Sequence, residues 1–246
     1  MRMLARPLLA PAVTALALSL AACGSSSPAG GSAAPVTHPA SPPAAQPVVT
    51  LAALSQKQLQ TATLTSLDLH GLAMSARSPA AHTAMISPEA PGPLPKGGCA
   101  PIAAAWQAGA PLYPSSAVTD VEVTHSGDAT VTSVHLGAYS EQGARAFTDA
   151  VAQSLTTCSS YPMTNGTLVL RQRIRPQQLH LGDDSVAWQQ ESVAADGAAL
   201  WMSVAVVRVG TTVITAVVDA SSAAPVPLPD PAVLGAQVTK LRSISH

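Results

Sequence analysis

Three arginines in alternation, Arg171, Arg173 and Arg175, interleaved with Gln172 and Ile174, form a concentrated run of charge in a chain with few charges. Successive side chains of an extended strand point to opposite faces, so the three guanidiniums share one face. Guanidiniums hold phosphates and carboxylates through forked, charge-assisted hydrogen bonds, which makes a clamp for an anionic group the chemistry available there. A solvated face that keeps an exposed sheet soluble is the competing reading of the same residues. Metal and nucleophilic chemistry find less support. His125, His135 and His180 lie on or near strand-like segments, with Asp128, Asp183 and Asp184 as acids in the same regions. A hairpin centred on Gly127-Asp128 sets His125 and His135 on opposite faces, so they do not converge. Asp183-Asp184 after Gly182 reads as a turn, because calcium asks for more oxygen ligands than this stretch offers. The sequence contains no G-x-S-x-G, S-x-x-K or H-E-x-x-H; the expectation is a non-catalytic protein with no metal and no cofactor.

The cysteines divide into two groups. Cys23 ends Leu20-Ala21-Ala22-Cys23, which follows Arg2, Arg6 and an apolar run from Leu8 to Leu20. Positive segment, hydrophobic segment, small residues and cysteine, in that order, form a bacterial export address that resembles lipoprotein signal peptides. The resemblance implies cleavage before Cys23, a diacylglyceryl group on its sulfur, and anchorage on the outer face of the cell membrane. An uncleaved transmembrane anchor is disfavoured because the run is about 13 residues long and a bilayer needs roughly 20. Cys99 and Cys158 then remain in an oxidising setting, where pairing is expected. The rival, a metal site, needs further ligands near both sulfurs, and neither CxxC nor HxxxH spacing is present.

Charge narrows the partners. Loss of residues 1–22 removes Arg2 and Arg6 from the twelve basic residues and none of the thirteen acids, leaving a net charge of about −3. No basic run is long enough to displace phosphate counterions in numbers, so nucleic acid is excluded as a partner. Residues 23–47 are Gly, Ser, Ala and Pro with almost no charge. They read as a lipidated cysteine and a disordered tether that reaches between roughly 30 Å as a coil and 75 Å when extended.

The folded domain is expected over 48–246. Ser55 with Gln58 three residues on has the form of a capping box ahead of Leu59 and Ala62. Residues 72–98 read as a long loop with at most one strand, at 72–75. A short helix is expected at 100–108, ahead of Pro111 and Pro114. Residues 119–126 and 129–137 alternate around Gly127-Asp128 as a hairpin. Ser140 then caps a helix whose inward stripe is Phe147, Val151, Ser154, Leu155 and Cys158. Strands follow at 167–175, 185–193, 200–209 and 211–219, and the last two are so rich in valine that both of their faces are expected to be buried. Asp230 with Pro231 opens a closing helix carrying Val233, Leu234, Val238 and Leu241. Trp106, Trp188 and Trp201 read either as the bulk of an aromatic-poor core or as the lining of an apolar or sugar-binding cleft.

The opening Leu54-Ser55 helix, Cys99 ahead of a strand pair, the helix through Ala144, Arg145, Ala146 and Phe147 to Cys158, Leu181-Gly182-Asp183 before a strand, and the valine-rich hairpin together resemble the extracellular sensor domain of the actinobacterial kinase PknH and its lipoprotein relatives. The resemblance spans about residues 50–246. It implies a single α+β domain with a cleft over an antiparallel sheet, an extracellular ligand, and no catalytic residues. The chain departs from the kinase's domain in lacking a second cysteine pair, and it carries a lipobox where the kinase has a transmembrane helix.

The expected architecture is therefore α+β: an antiparallel sheet of about five to six strands with helices packed on it and one disulfide. The expected function is that of a membrane-anchored extracytoplasmic lipoprotein that binds a small ligand or cell-envelope component in a cleft. A protein–protein interaction module of the envelope and a lipid carrier are the alternatives.

Overall fold

The computed structural model describes residues 51–77, 93–106, 112–126, 130–165, 168–220 and 224–244. The lipobox with Cys23, the tether, Gly127-Asp128 and the first residue of the strand expected at 167–175 lie outside them. Every described element belongs to one compact unit, Val48–His246. In chain order these are α1 (Gln56–Ala62), β1 (Met74–Arg77), α2 (Ala100–Trp106), β2 (Ala117–His125), β3 (Val131–Ala138), α3 (Glu141–Thr157), β4 (Ser160–Asn165), β5 (Leu168–Gln177), β6 (Asp184–Val193), β7 (Ala199–Val209), β8 (Thr212–Ala220) and α4 (Pro231–Ile244).

Local signals set the helix starts. The Ser55 hydroxyl accepts from the Gln58 N–H while the Gln58 side chain accepts from the Ser55 N–H, so two amides that lack helical partners are satisfied reciprocally. Ser140 accepts from the Gly143 N–H at 3.0 Å, and the Asp230 carboxylate accepts from the Ala232 N–H at 2.7 Å.

All neighbouring strands are antiparallel, in the order β1-β2-β3-β8-β7-β6-β5-β4. The sheet thus has eight strands rather than five to six. The expectation falls short at the edges: β4 has no counterpart in it, and β1 lies two residues beyond the single strand allowed at 72–75. β1 is four residues, Met-Ser-Ala-Arg, without a β-branched side chain, and β4 contains Pro162. Proline donates nothing to a ladder and is confined to edge strands, where only one side pairs.

Residues opposite each other in an antiparallel pair share a face, so register sorts the core into two layers. On one face Val121, Val123, Val134, Leu136, Ala205, Val207, Ile214 and Ala216 pack against Leu59 of α1 and Val233, Leu234, Val238 and Leu241 of α4. On the other, Ile174, Trp188, Val204, Val206, Val213 and Val217 meet Ile102 of α2 and Phe147 and Val151 of α3. Alanine supplies closeness rather than bulk: Ala103, Ala104 and Ala105 are buried and let α2 approach α3. The chain's single phenylalanine, Phe147, stacks on Tyr113 with ring centroids 4.5 Å apart.

Lys240 of α4 ties back to the chain between α1 and β1, donating to the Thr63 carbonyl and the Asp68 carboxylate at 2.8 and 2.7 Å. Burial opposes ionisation of Asp68, but the Lys240 ammonium and the Thr65 donors outweigh it and hold the carboxyl below its ordinary range. The sulfurs of Cys99 and Cys158 are bonded, with their Cα atoms 5.2 Å apart. The Ser154 hydroxyl donates to the Gly98 carbonyl beside them, so the start of α2 and the end of α3 are joined covalently and by a hydrogen bond.

Two outcomes are expected. Replacing both Cys99 and Cys158 by serine opens a loop of roughly 60 residues and lowers stability by about 4 kcal/mol in urea unfolding, with an unchanged midpoint as the contrary result. Because the Asp68 carboxyl is depressed in the folded state, its contribution is complete above the unfolded value and is lost as pH falls through the folded one. Lys240→Met therefore flattens the decline of stability below about pH 4.

Candidate functional site

Eight strands are wider than two helices. α1 and α4 cover the part of their face built from β2, β3, β8 and β7, whereas the same face of β5 carries exposed arginines. Register runs Arg171 opposite Val193, Arg173 opposite Glu191 and Arg175 opposite Gln189, then Glu191 opposite Trp201. The alternation read from the sequence is thus realised: all three guanidiniums stand on one face of β5, and all three residues are exposed.

Their surroundings are organised. Glu191, whose side chain is 13% exposed, takes Arg173 at 3.3 Å and Arg175 at 3.6 Å. The Arg175 guanidinium lies 4.5 Å from the centroid of the Trp201 ring, a cation–π contact worth about 0.5–1 kcal/mol at an exposed site. Trp201 is 4% exposed and packs with Val218 and Val226. The Val226 carbonyl accepts from Gln189 at 2.7 Å and the Pro227 carbonyl accepts from Ser203, so the segment leading into α4 crosses the sheet over β6 and β7 and borders the arginine floor. Arg171 has no hydrogen bond or ion pair among the described residues. One carboxylate therefore serves two of the three guanidiniums.

Beneath β5 lies a neutral network that sequence reasoning missed. Gln172, on the opposite face between Arg171 and Arg173, accepts from Gln190 at 2.9 Å and from Ser192 at 2.6 Å. Gln190 in turn accepts from the Trp188 indole at 3.3 Å and the Tyr161 hydroxyl at 3.5 Å. Gln172, Gln190 and Trp188 are fully buried, and the Gln172 Nε2 is without a partner.

The turn read at Gly182-Asp183-Asp184 exists, and its acids are committed. Gly182 has φ +67°, and a Cβ there would stand 2.4 Å from the Arg208 carbonyl oxygen, so only glycine fits. Asp183 accepts from the Gly210 N–H at 2.7 Å and Asp184 from the Arg208 Nε at 2.7 Å. Arg242 of α4 donates to the Gly182 carbonyl at 3.2 Å and lies 3.5 Å from Asp183. Between this loop and α4 runs an open cleft of about 640 Å³, with His180, Thr239 and Arg242 among its lining. Its charged residues already satisfy one another, so it offers an anion little.

His125 and His135 do stand on opposite faces of the β2–β3 pair. The partner of His135 is Asp120, directly across the ladder and hydrogen-bonded to its Nδ1, while Nε2 is buried without a partner. Trp188 and Trp201 are core residues rather than an open cleft lining.

No protein-family model matches the chain, and no curated protein matches it. Among solved structures it is similar to the extracellular domain of PknH from Mycobacterium tuberculosis, with a TM-score of 0.50 and 13% identity over 78% of this chain and 99% of that one. At this identity the likeness is one of fold, and it agrees with the α+β, PknH-like domain expected from the sequence.

The cleft and the arginine face are separable experimentally. Arg208, with an 8% exposed side chain, meets Asp183 and Asp184, which are 35% and 47% exposed. Arg208→Gln is expected to cost about 2 kcal/mol, below the range for a fully buried pair because the acids are partly solvated. Urea unfolding measures the loss, and anion binding at β5 should be unaltered in the same variant.

Proposed function

We propose that this chain is an exported lipoprotein, held by lipidated Cys23 on the outer face of the cell membrane, whose domain binds a small anionic ligand or an anionic component of the cell envelope without catalysis. The observation that carries the reading is the surplus of guanidiniums on β5: Arg171, Arg173 and Arg175 share one face with the single carboxylate of Glu191, which pairs with Arg173 and Arg175, and Arg175 is held over Trp201. Charge-assisted bonds from such a set favour phosphate or carboxylate groups. The lipobox order of residues 1–23 supports export and anchorage, and the fold likeness to an extracellular sensor domain fits an extracytoplasmic binding role.

The alternatives have less to rest on. A lipid carrier calls for an enclosed apolar chamber, whereas the cleft beside α4 is open and lined by Asp183, Asp184 and Arg242. A protein-binding module is favoured by a broad apolar patch; of the most exposed large apolar residues among the described ones, Leu67, Val169 and Leu200, the last two stand on opposite faces of the sheet.

Retention of the oxidised chain on anionic envelope fractions tests the reading. Replacing Arg171, Arg173 and Arg175 together by glutamine should weaken retention at least tenfold, about 1.4 kcal/mol, with folding checked by circular dichroism. Unchanged retention removes the arginine face from the function. In cells, Cys23→Ala should move the protein out of the membrane fraction, and an unaltered distribution overturns the anchor.

A further inference from the structure

The arrangement of the β5 arginines carries information about the shape of the anion. A pocket for one phosphate gathers its donors around a point. Here the donors are strung along a single strand, where every second residue recurs at roughly 7 Å, so the row from Arg171 to Arg175 covers roughly 14 Å. Elsewhere among the described residues the salt-bridged cations meet carboxylates nearer one to one: Arg77 with Glu122, Arg145 with Glu141, Lys240 with Asp68, and Arg208 and Arg242 with Asp183 and Asp184. The β5 row keeps an excess of two positive charges over Glu191, on a domain whose net charge is negative.

We infer that this row binds a linear, non-nucleotide phosphodiester polymer lying along β5, with successive phosphates meeting successive arginines. The inference rests on the reading of this face as an anion site and specifies its ligand class. A phosphate diester keeps one negative charge at any ordinary pH and presents oxygens on two sides, so one group can bridge neighbouring guanidinium forks. Nucleic acid fits poorly, because single-stranded binding relies on aromatic platforms for the bases, and Trp201 is buried beneath Arg175. The floor is held for such a ligand: Gln172 is bonded to Gln190 and Ser192 below the strand, and the segment carrying Val226 borders the row on the β7 side.

The test titrates oxidised residues 24–246 with glycerol-phosphate oligomers of one, three and six phosphates at several salt concentrations. Affinity is expected to rise at least tenfold from one phosphate to three. The dependence of log affinity on log salt should have a slope of about −2 for the trimer, as release of counterions from about three phosphates predicts. Arg171→Gln should make that slope shallower by about 0.7, and Glu191→Gln, which removes the competing carboxylate, should tighten the trimer severalfold. Equal affinity for one and six phosphates overturns the polymer while leaving an anion site in place. So does preference for polyglutamate of matched length, or for phosphatidylglycerol vesicles. Binding of oligomers that is indifferent to the β5 and Glu191 substitutions puts the polymer elsewhere and overturns the inference. Absence of binding to all of these anions removes both the inference and the reading beneath it.

Discussion

Burial of β7 and β8 on both faces is the constraint from which the rest of the architecture follows. Val204 and Val206 point to one side and Ala205 and Val207 to the other, so neither face of the hairpin tolerates water. Each face needs its own helical layer, and the chain supplies one pair of helices to each. Eight strands at roughly 4.8 Å spacing make a sheet roughly 34 Å across, whereas two helices side by side cover only about 20 Å. Part of each outer strand is necessarily bare, and on β5 the bare positions include Arg171, Arg173 and Arg175. The location of the basic face is thus a consequence of sheet width, and its composition is a property of one strand.

That strand is held from both sides by different means. Below it, Gln172 and Ile174 are buried, the first in a network with Gln190 and Ser192 and the second against the α2/α3 layer. A buried amide network is costly if left incomplete, so its bonds resist sliding of β5 against β6. Above it, Glu191 and the Trp201 ring limit where Arg173 and Arg175 can go. Side chains already confined lose less entropy on meeting a ligand, which is how a flat sheet face becomes a prepared one.

Much of this was legible because the signals are local. The Arg-x-Arg-x-Arg period, the Ser55–Gln58 capping box, the valine runs of the central hairpin and the two cysteines left for pairing each need only a few neighbouring residues to interpret. Of the edge strands, Ser160–Asn165 was not legible and Met74–Arg77 was legible only as a strand placed at 72–75, since each has one partner and carries residues poor at forming strands. Long-range partners were harder still. Nothing near Asp183 announces Arg208, and Glu191 faces Arg173 only through the β5–β6 register. Asp120 and His135 are an instructive case, because the hairpin centre at Gly127-Asp128 already places them opposite each other.

Glu191 explains how such a row can persist without a ligand. Neighbouring guanidiniums roughly 7 Å apart repel by about 0.6 kcal/mol per pair even at the dielectric constant of water, and by more beside a buried sheet. A single carboxylate between two of them offsets that repulsion. A second acid at the position of Val193, opposite Arg171, would complete neutralisation and leave nothing for an external anion. With Val193 there, Arg171 has no ion pair among the described residues and stands at one end of the row, where an anion, under the proposed function, would gain most by engaging it first and then competing with Glu191 for its neighbours. On the proposed reading, partial neutralisation, rather than the count of arginines, is what would distinguish this face from a solvated strand.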